Sequence, residues 1–429
     1  MDVLSPLLDH LRSCCATLPD RRTGANGRYA MEEIGLAAFS VFFLQSPSFL
    51  AHQRRLEQGR GRSNCQTLFR TARIPSDNHL RTMLDPVPPE QLFPAFEAAL
   101  AMLERTGGLQ AFRRLGGHVL IALDGTEYFR STRIHCRACS RRTGGSGQEA
   151  WFHTLMAATL VAPGHDRVMP LPPAFVAPQD GHAKQDCESR AARRWLAAHG
   201  PKLARLAPVY LGDDRYACQP ICEQVRASGG PFLFVAKPAS HPTLTAYLSG
   251  IELPCHEAVH RRGQRRSRHR YRWLANVPLR DGAEAMSVNW LQIEILNAAG
   301  KLTYSNSFVT DLPVGADTVA ELAACGRARW KIENESFNVL KTKGYHLEHN
   351  FGHGRQHLAA VLATLNLLAF AFHTVCDLAD ELWRAALDAA GARRRFFEHL
   401  RAITVYLVFP TWRILLTTLA TGQPPPHAA

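Results

Sequence analysis

The spacing of apolar and polar positions changes texture along the chain. Residues 1–115 carry helical periods. Within residues 31–56, the run Ile34-Gly35-Leu36-Ala37-Ala38-Phe39-Ser40-Val41-Phe42-Phe43-Leu44 is apolar almost all round, which predicts a buried helix. Ile74-Pro75-Ser76-Asp77-Asn78-His79 reads as a turn and N-cap opening a short helix through Leu84, and Pro86-Val87-Pro88-Pro89 stops it. A further helix is predicted over residues 90–105. Pro94 falls near its first turn, where a missing N–H costs least, so the regular helix starts a few residues in.

At Gly116 the pattern turns to strands. The run from Gly117 to Thr126 is apolar and β-rich, and it ends in Asp124 and a glycine turn. Strands follow over residues 151–161 and 167–176, a helix over 186–206, a strand over 208–212 ending at Asp213, a helix over 219–228 and a strand over 231–236. That order predicts an α/β fold, a mixed sheet with helices on its faces. Residues 237–312 return to strands and turns, including a hairpin that reverses over residues 297–300. A long helix is predicted over 317–343, capped by Asp317 or Thr318, and the remainder is helical up to a loose tail over 422–429. Residues 358–376 are apolar enough to raise the question of a membrane. Thr364, Asn366, His373 and Thr374 within them, and flanks without a topology signal, predict a buried core helix instead.

Composition narrows the class. Of 429 residues, 46% are hydrophobic and 20% charged, enough apolar material for a core and incompatible with wholesale disorder. Lys and Arg total 50 against 37 Asp and Glu, and the excess of +13 favours a polyanionic partner. Eleven scattered cysteines do not make a disulfide framework in a chain of this length, and Met1-Asp2-Val3-Leu4-Ser5 has neither a basic nor an apolar leader pattern. The expectation is a reduced, cytoplasmic protein associated with the nucleoid.

Three acids stand out by position. Asp124 and Asp213 each close an apolar strand, where a sheet presents side chains to a crevice, and Glu333 lies in the basic segment Arg327-Ala328-Arg329-Trp330-Lys331-Ile332-Glu333. Three converging carboxylates suit two Mg²⁺ or Mn²⁺ ions about 4 Å apart, clamping the attacking and leaving oxygens of a phosphodiester. Strand-end turn caps are the plainer alternative. On a regular helix Arg329, Glu333, Phe337 and Lys341 share one face and Glu335 falls off it, which favours Glu333 as ligand with Arg329 and Lys341 on phosphates. An exposed i, i+4 ion pair would have the same spacing.

Two further clusters carry chemistry. His260-Arg261-Arg262-Gly263-Gln264-Arg265-Arg266-Ser267-Arg268-His269-Arg270-Tyr271-Arg272-Trp273 is a phosphate-tracking surface or a solvated hairpin rim. In the first reading Arg265, Arg266, Arg268 and Arg270 contact DNA, and Trp273 or Trp290 stacks on a displaced base. Cys136-x2-Cys139 is half of a Zn²⁺ site that His135, His153, Cys187, or Cys218 with Cys222 would complete; reduced free cysteines are the alternative. His349 and His353 are four apart but sit among glycines, which predicts a loop with a structural or DNA-contacting role and not a metal site.

The block Arg329-Trp330-Lys331-Ile332-Glu333-Asn334-Glu335-Ser336-Phe337-Asn338-Val339-Leu340-Lys341-Thr342-Lys343-Gly344-Tyr345, followed by Leu347-Glu348-His349-Asn350-Phe351-Gly352-His353-Gly354, resembles the catalytic-glutamate region of bacterial insertion-sequence DDE transposases. Leu123-Asp124-Gly125-Thr126 resembles the family's first-aspartate strand, and Leu211-Gly212-Asp213-Asp214-Arg215-Tyr216 its second. The resemblance spans about residues 75–375. It implies an RNase H-like core with Asp124, Asp213 and Glu333 as the metal-binding triad and Asp214 as the rival second acid. Relatives with a Tyr-x2-Arg-x3-Glu-x6-Lys signature match at Arg329 and Glu333, whereas Gly326 stands where the tyrosine would be and Lys341 comes one residue late.

The expected organisation follows. Residues 1–115 form an all-helical region that binds DNA ends with Arg54, Arg55, Arg60, Arg62 and Arg70. Residues 116–236 and 313–378 form the RNase H-like core, 237–312 a β-rich insertion between the second Asp and the Glu, and 379–429 the C-terminal helices and tail. The expected activity is binding of terminal inverted repeats, metal-dependent endonuclease cleavage, and joining of the freed 3′-hydroxyl to target DNA by a homodimer. A nuclease of the same fold without strand transfer, or a DNA-binding protein derived from a transposase, are the alternatives.

Overall fold

Burial patterns decide the first third of the chain. The computed structural model describes residues 2–23, 27–145, 147–178, 186–263 and 265–424, apart from the side chains of Arg262 and Arg265. Helices α1 (Leu4–Ala16), α2 (Met31–Phe43), α3 (Phe49–Glu57), α4 (Gly61–Phe69), α5 (Asp77–Leu84) and α6 (Phe93–Arg105) come first. α2 is buried on nearly every side, as its apolar run requires. The helical stretch over residues 31–56 is divided into two helices, the first holding the predicted buried run. Gln45 takes a left-handed conformation (φ 49°), and the Ser48 hydroxyl restarts the helix by accepting the Ala51 N–H at 3.1 Å. Ser76 caps α5 as predicted, accepting from His79 N–H at 3.4 Å, and Pro94 lies in the first turn of α6.

The strands are β1 (Arg113–Arg114), β2 (His118–Ser131), β3 (Ser140–Thr143), β4 (Glu149–Ala162), β5 (His165–Pro170), β6 (Ala174–Phe175), β7 (Pro208–Gly212), β8 (Phe232–Val235), β9 (Cys255–Arg262), β10 (Arg265–Pro278), β11 (Ser287–Asn297) and β12 (Leu302–Thr310). Helices α7 (Glu188–Leu203), α8 (Gln219–Ala227) and α9 (Pro242–Leu248) lie between them. All the strands belong to one mixed sheet, ordered β3-β4-β2-β7-β8-β12-β11-β10-β9, with β1 on β2 and with β5 and β6 on β4. β2 runs antiparallel to β4 and parallel to β7, and β7 runs parallel to β8. The β-rich stretch is continuous with this sheet: β12 pairs antiparallel with β8 through Phe308↔Val235, Val309↔Phe234 and Thr310↔Leu233. β8 is buried throughout, so the strand that covers its edge hides an apolar edge from solvent.

The long helix expected over residues 317–343 is broken. α10 (Val319–Ala328) is followed by a π-helical turn, Ile332–Phe337, and then by α11 (Asn338–Thr342). The wider turn rotates whatever follows it, so the stripe from Glu333 to Lys341 does not persist, and Lys341 instead pairs with Glu348 at 2.8 Å. The tyrosine absent at Gly326 also has a steric reason. A Cβ there would stand 2.6 Å from the Phe308 ring of β12.

The chain ends in α12 (Leu358–Ala379), α13 (Glu381–Ala390), α14 (Arg393–Tyr406) and α15 (Trp412–Thr421). α12 alone, among the described residues, is long and apolar enough to cross a membrane, and 89% of its apolar window is buried. It packs against α2, α6 and β5. Several of its polar groups have protein partners: Asn366 donates to the Tyr345 carbonyl at 2.8 Å, and His373 lies between the Tyr345 hydroxyl and the Phe43 carbonyl. The Asp85 carboxylate closes its N-terminus from 270 residues away, accepting the N–H groups of Arg355, Gln356 and Leu358.

Candidate active site

Strand register brings the two aspartates together. β2 and β7 pair in parallel from Val119↔Pro208 to Ala122↔Leu211. Continuing that register sets Asp124 beside Asp213, which directly follows the carboxyl end of β7, on neighbouring segments roughly 4.8 Å apart. The strand expected to close at Asp124 and turn at Gly125 instead runs on to Ser131, because β4 goes on pairing with it through Asp124↔Ala157 and Gly125↔Met156. Asp124 therefore lies within β2 where β7 leaves it, and the parting of the two strands opens a crevice of the kind in which α/β sheets hold ligands. The Asp213 carboxylate accepts the Arg215 N–H at 2.9 Å. Its neighbour Asp214 is engaged elsewhere, accepting the Lys237 N–H at 2.6 Å and so tying the loop after β7 to the loop after β8. Of the two, Asp213 is the one that faces the crevice with Asp124.

Glu333 arrives on the π-helical turn. One terminal nitrogen of Arg329 donates to Glu333 Oε1 at 2.7 Å, and the other to Asp124 Oδ2 at 3.2 Å. Arg329 thus links the first and third acids as a resident cation. Trp330 donates its indole N–H to Glu333 Oε2 at 2.9 Å, while 60% of the residue stays exposed beside the carboxylate.

A fourth acid, Glu188, joins the site from the first position of α7. Tyr216 donates its hydroxyl to Glu188 Oε1 at 2.9 Å. The carboxylate packs directly on Gly125, where any Cβ would collide with it. Nothing in the local sequence marks Glu188, because an acid in the first turn of a helix is ordinary.

Burial pushes the Asp124 carboxyl up to about 7. Arg329 opposes the shift, and the nearby charges of Glu188, Glu333 and Asp213 add to it. Burial also raises Glu188, against the Tyr216 hydrogen bond and with repulsion from Asp213. Four acids face two guanidinium groups, Arg329 on Asp124 and Glu333 and Arg215 at 3.9 Å from Glu188, which leaves negative charge uncompensated, and that donor chemistry fits hard divalent cations. Asp124, Asp213 and Glu333 are the oxygen ligands on offer, with the Arg329 side chain interposed between Asp124 and Glu333.

A second constellation lies at the far end of the β2–β4 hairpin. Ligand atoms of Cys136, Cys139, His153 and His353 all fall within 4.8 Å of one another. His153 was among the expected partners of the Cys pair. His353 was expected in a structural or DNA-contacting role, and the fold brings it in on the loop before α12. His135 instead stacks on Trp151 at 4.7 Å, and Cys187, Cys218 and Cys222 are not in the group.

The basic run forms the β9–β10 hairpin. Alternation along β10 puts Arg266, Arg268, Arg270 and Arg272 on one face, and His269, Tyr271 and Trp273 on the other. The expected pairing of these arginines with Trp273 as one phosphate-and-base surface is therefore corrected: the aromatic packs against the core, and Trp290 is buried as well. Arg270 pairs with Glu257 at 2.8 Å, and Arg272 with Glu294 at 3.3 Å. The side chain expected of Arg265 lies outside the described residues. In the N-terminal region, Arg70 pairs with Asp9 and Arg55 turns in to the Ser46 hydroxyl, while Arg62 lines a cleft with Arg22, Arg28 and Arg73.

No protein-family model matches this chain, and a search of curated proteins finds no match to it.

Proposed function

We propose that this chain is a DDE transposase with an RNase H-like core, which cuts the ends of its DNA element and joins the freed 3′-hydroxyl to a target. The observation that carries the reading is the convergence of Asp124 and Asp213, on adjacent parallel strands, with Glu333, delivered by a helix far along the chain. The sheet order supports the RNase H-like part. Three antiparallel strands, β5, β4 and β2, continue into the parallel pair β7 and β8, with helices α7 and α8 in the crossovers.

Asp124, Asp213 and Glu333 would hold the divalent cations, which supply an activated attacking oxygen and stabilise the leaving one. Arg329 bridges Asp124 and Glu333 in the free protein, offsetting one of their two charges, and is near enough to turn to a phosphate oxygen when DNA is bound. Tyr216 and Gly125 fix Glu188 at the edge of the crevice. Trp330 presents an exposed ring beside Glu333, a stacking surface for a base next to the scissile phosphate. The arginine face of β10 supplies sequence-independent phosphate contacts, and bringing two DNA ends together calls for two copies of the chain.

The test is cleavage and strand transfer on labelled DNA carrying the element's ends, in Mg²⁺ or Mn²⁺, with Asp124→Ala, Asp213→Ala and Glu333→Ala beside wild type. The reading requires metal-dependent cutting and joining that all three variants lose while retaining DNA binding. Cutting without joining would reduce it to a nuclease, and binding without chemistry to a DNA-binding derivative.

A further inference from the structure

The Cys and His side chains at the end of the β2–β4 hairpin play no part in the reaction just described, yet their geometry is specific. Zinc bound tetrahedrally at about 2.3 Å from sulfur and 2.0–2.1 Å from nitrogen sets ligand separations of roughly 3.8 Å for S···S, 3.6 Å for S···N and 3.3 Å for N···N. Here Cys136 Sγ and Cys139 Sγ are 3.9 Å apart. His153 Nε2 is 3.5 Å from the first sulfur and 3.4 Å from the second. His353 Nε2 is 3.4 Å from Cys139 Sγ and 3.1 Å from His153 Nε2. Five edges of a tetrahedron with a zinc-sized centre are thus present.

We propose that Cys136, Cys139, His153 and His353 form a structural Cys2His2 site for one zinc ion, which fastens the loop before α12 to the β2–β4 hairpin.

The surroundings favour this occupant over others. His353 directs Nδ1 at the Gly354 carbonyl, 3.0 Å away; the N–H that donates there fixes the tautomer and leaves Nε2 a lone pair pointing into the cluster. The Cys136 N–H donates to Cys139 Sγ at 3.4 Å, and the Cys139 N–H returns to the Cys136 carbonyl at 3.2 Å, a tight turn that aims both sulfurs the same way. A sulfur separation of 3.9 Å is nearly twice a disulfide bond, so the pair is held as two separate donors. Sulfur with imidazole selects a borderline-soft ion and excludes Mg²⁺ and Ca²⁺.

Cys139, His153 and His353 are buried, Tyr128 stacks on His153 at 5.6 Å, and Phe129 lies 4.4 Å from His353. Four protein ligands behind aromatic walls leave no position for water, the arrangement of a structural and not a catalytic site. His153 and His353 are 200 residues apart in sequence, so the ion would close a long loop between two parts of the sheet-and-helix core.

The experiment is metal analysis of the full chain purified without chelator, followed by replacement of the bound ion with Co²⁺. One zinc per chain is expected, and the cobalt form should show thiolate-to-cobalt charge-transfer absorption with the intense visible bands of a tetrahedral site. Cys139→Ser and His353→Gln should each lose the ion, whereas the neighbouring non-ligand change His135→Ala should keep it. Should the ligand variants fail to fold, zinc content and the cobalt spectrum of wild type still decide. Less than about one-tenth of an ion per chain, with no charge-transfer band on adding Co²⁺, overturns the site, and equal metal loss in His135→Ala overturns the ligand assignment. None of these readouts depends on DNA cleavage.

Discussion

Arg329 meets Asp124 at 3.2 Å across 205 residues of chain, and the same guanidinium holds Glu333 one helical turn away. A partly buried cation placed between two acids keeps a negative crevice tolerable in the free protein. Arg329→Gln removes that counter-charge. In EDTA the variant should lose about 2 kcal/mol of stability, and Mg²⁺ should raise its melting temperature by more than it raises that of wild type. Equal Mg²⁺ shifts in the two proteins would contradict Arg329 as the counter-ion of a cation site.

Asp124 gives the metal-free protein a pH signature. Its folded carboxyl titrates at about 7, against 3.8 for the unexceptional group. The folded state therefore holds this proton more tightly than the unfolded chain, so the carboxyl costs nothing well below pH 3.8. Its cost grows as pH rises towards 7 and is constant above that. Asp124→Asn should come closest to wild type near pH 3 and exceed it by a few kcal/mol at pH 8 in EDTA, as read by urea unfolding at each pH. A difference independent of pH would mean that Asp124 titrates normally.

The contact of Gly125 with Glu188 predicts a coupled pair. Gly125→Ala drives a methyl into the carboxylate and should cost about 1–3 kcal/mol. Combining it with Glu188→Ala should recover much of that loss, and the double-mutant cycle should give a coupling above roughly 0.5 kcal/mol. Additive effects would place the two side chains apart.

Trp330 separates stacking from folding. At 60% exposure, its change to Ala should alter stability little. If the ring stacks on a base, Trp330→Ala should slow end cleavage by about tenfold or more, while Trp330→Phe, which keeps a ring but not the N–H to Glu333, should retain most of the rate. Cleavage by the Ala variant at the wild-type rate would remove Trp330 from the DNA contact.

What was legible in the sequence was local. Asp124 and Asp213 could be found because each follows an apolar run, although β2 goes on past Asp124 to Ser131, and Ser76 because a cap and its helix are neighbours. What was not legible depends on distant partners. β12 joining β8 is a choice of edge that no strand declares in its own residues. The π-helical turn around Glu333 needs one residue more per turn than the regular period assumed for Lys341. Glu188 and His353 have unremarkable neighbours in the chain and acquire their roles only from what they face. Trp273 was misplaced for a simpler reason: a strand alternates its faces, and an odd-numbered aromatic cannot share a face with even-numbered arginines.

The Asp85 cap on α12 bears on how the chain can be divided. A fragment beginning near residue 116 would keep the acids but lose Asp85 together with α2 and α6, which pack against α12. What remained would be a 22-residue greasy rod with a frayed end and one flank bare to water. Such a piece is suited to inclusion bodies or detergent micelles, so residues 1–115 cannot be taken off the rest of the chain as a detachable module.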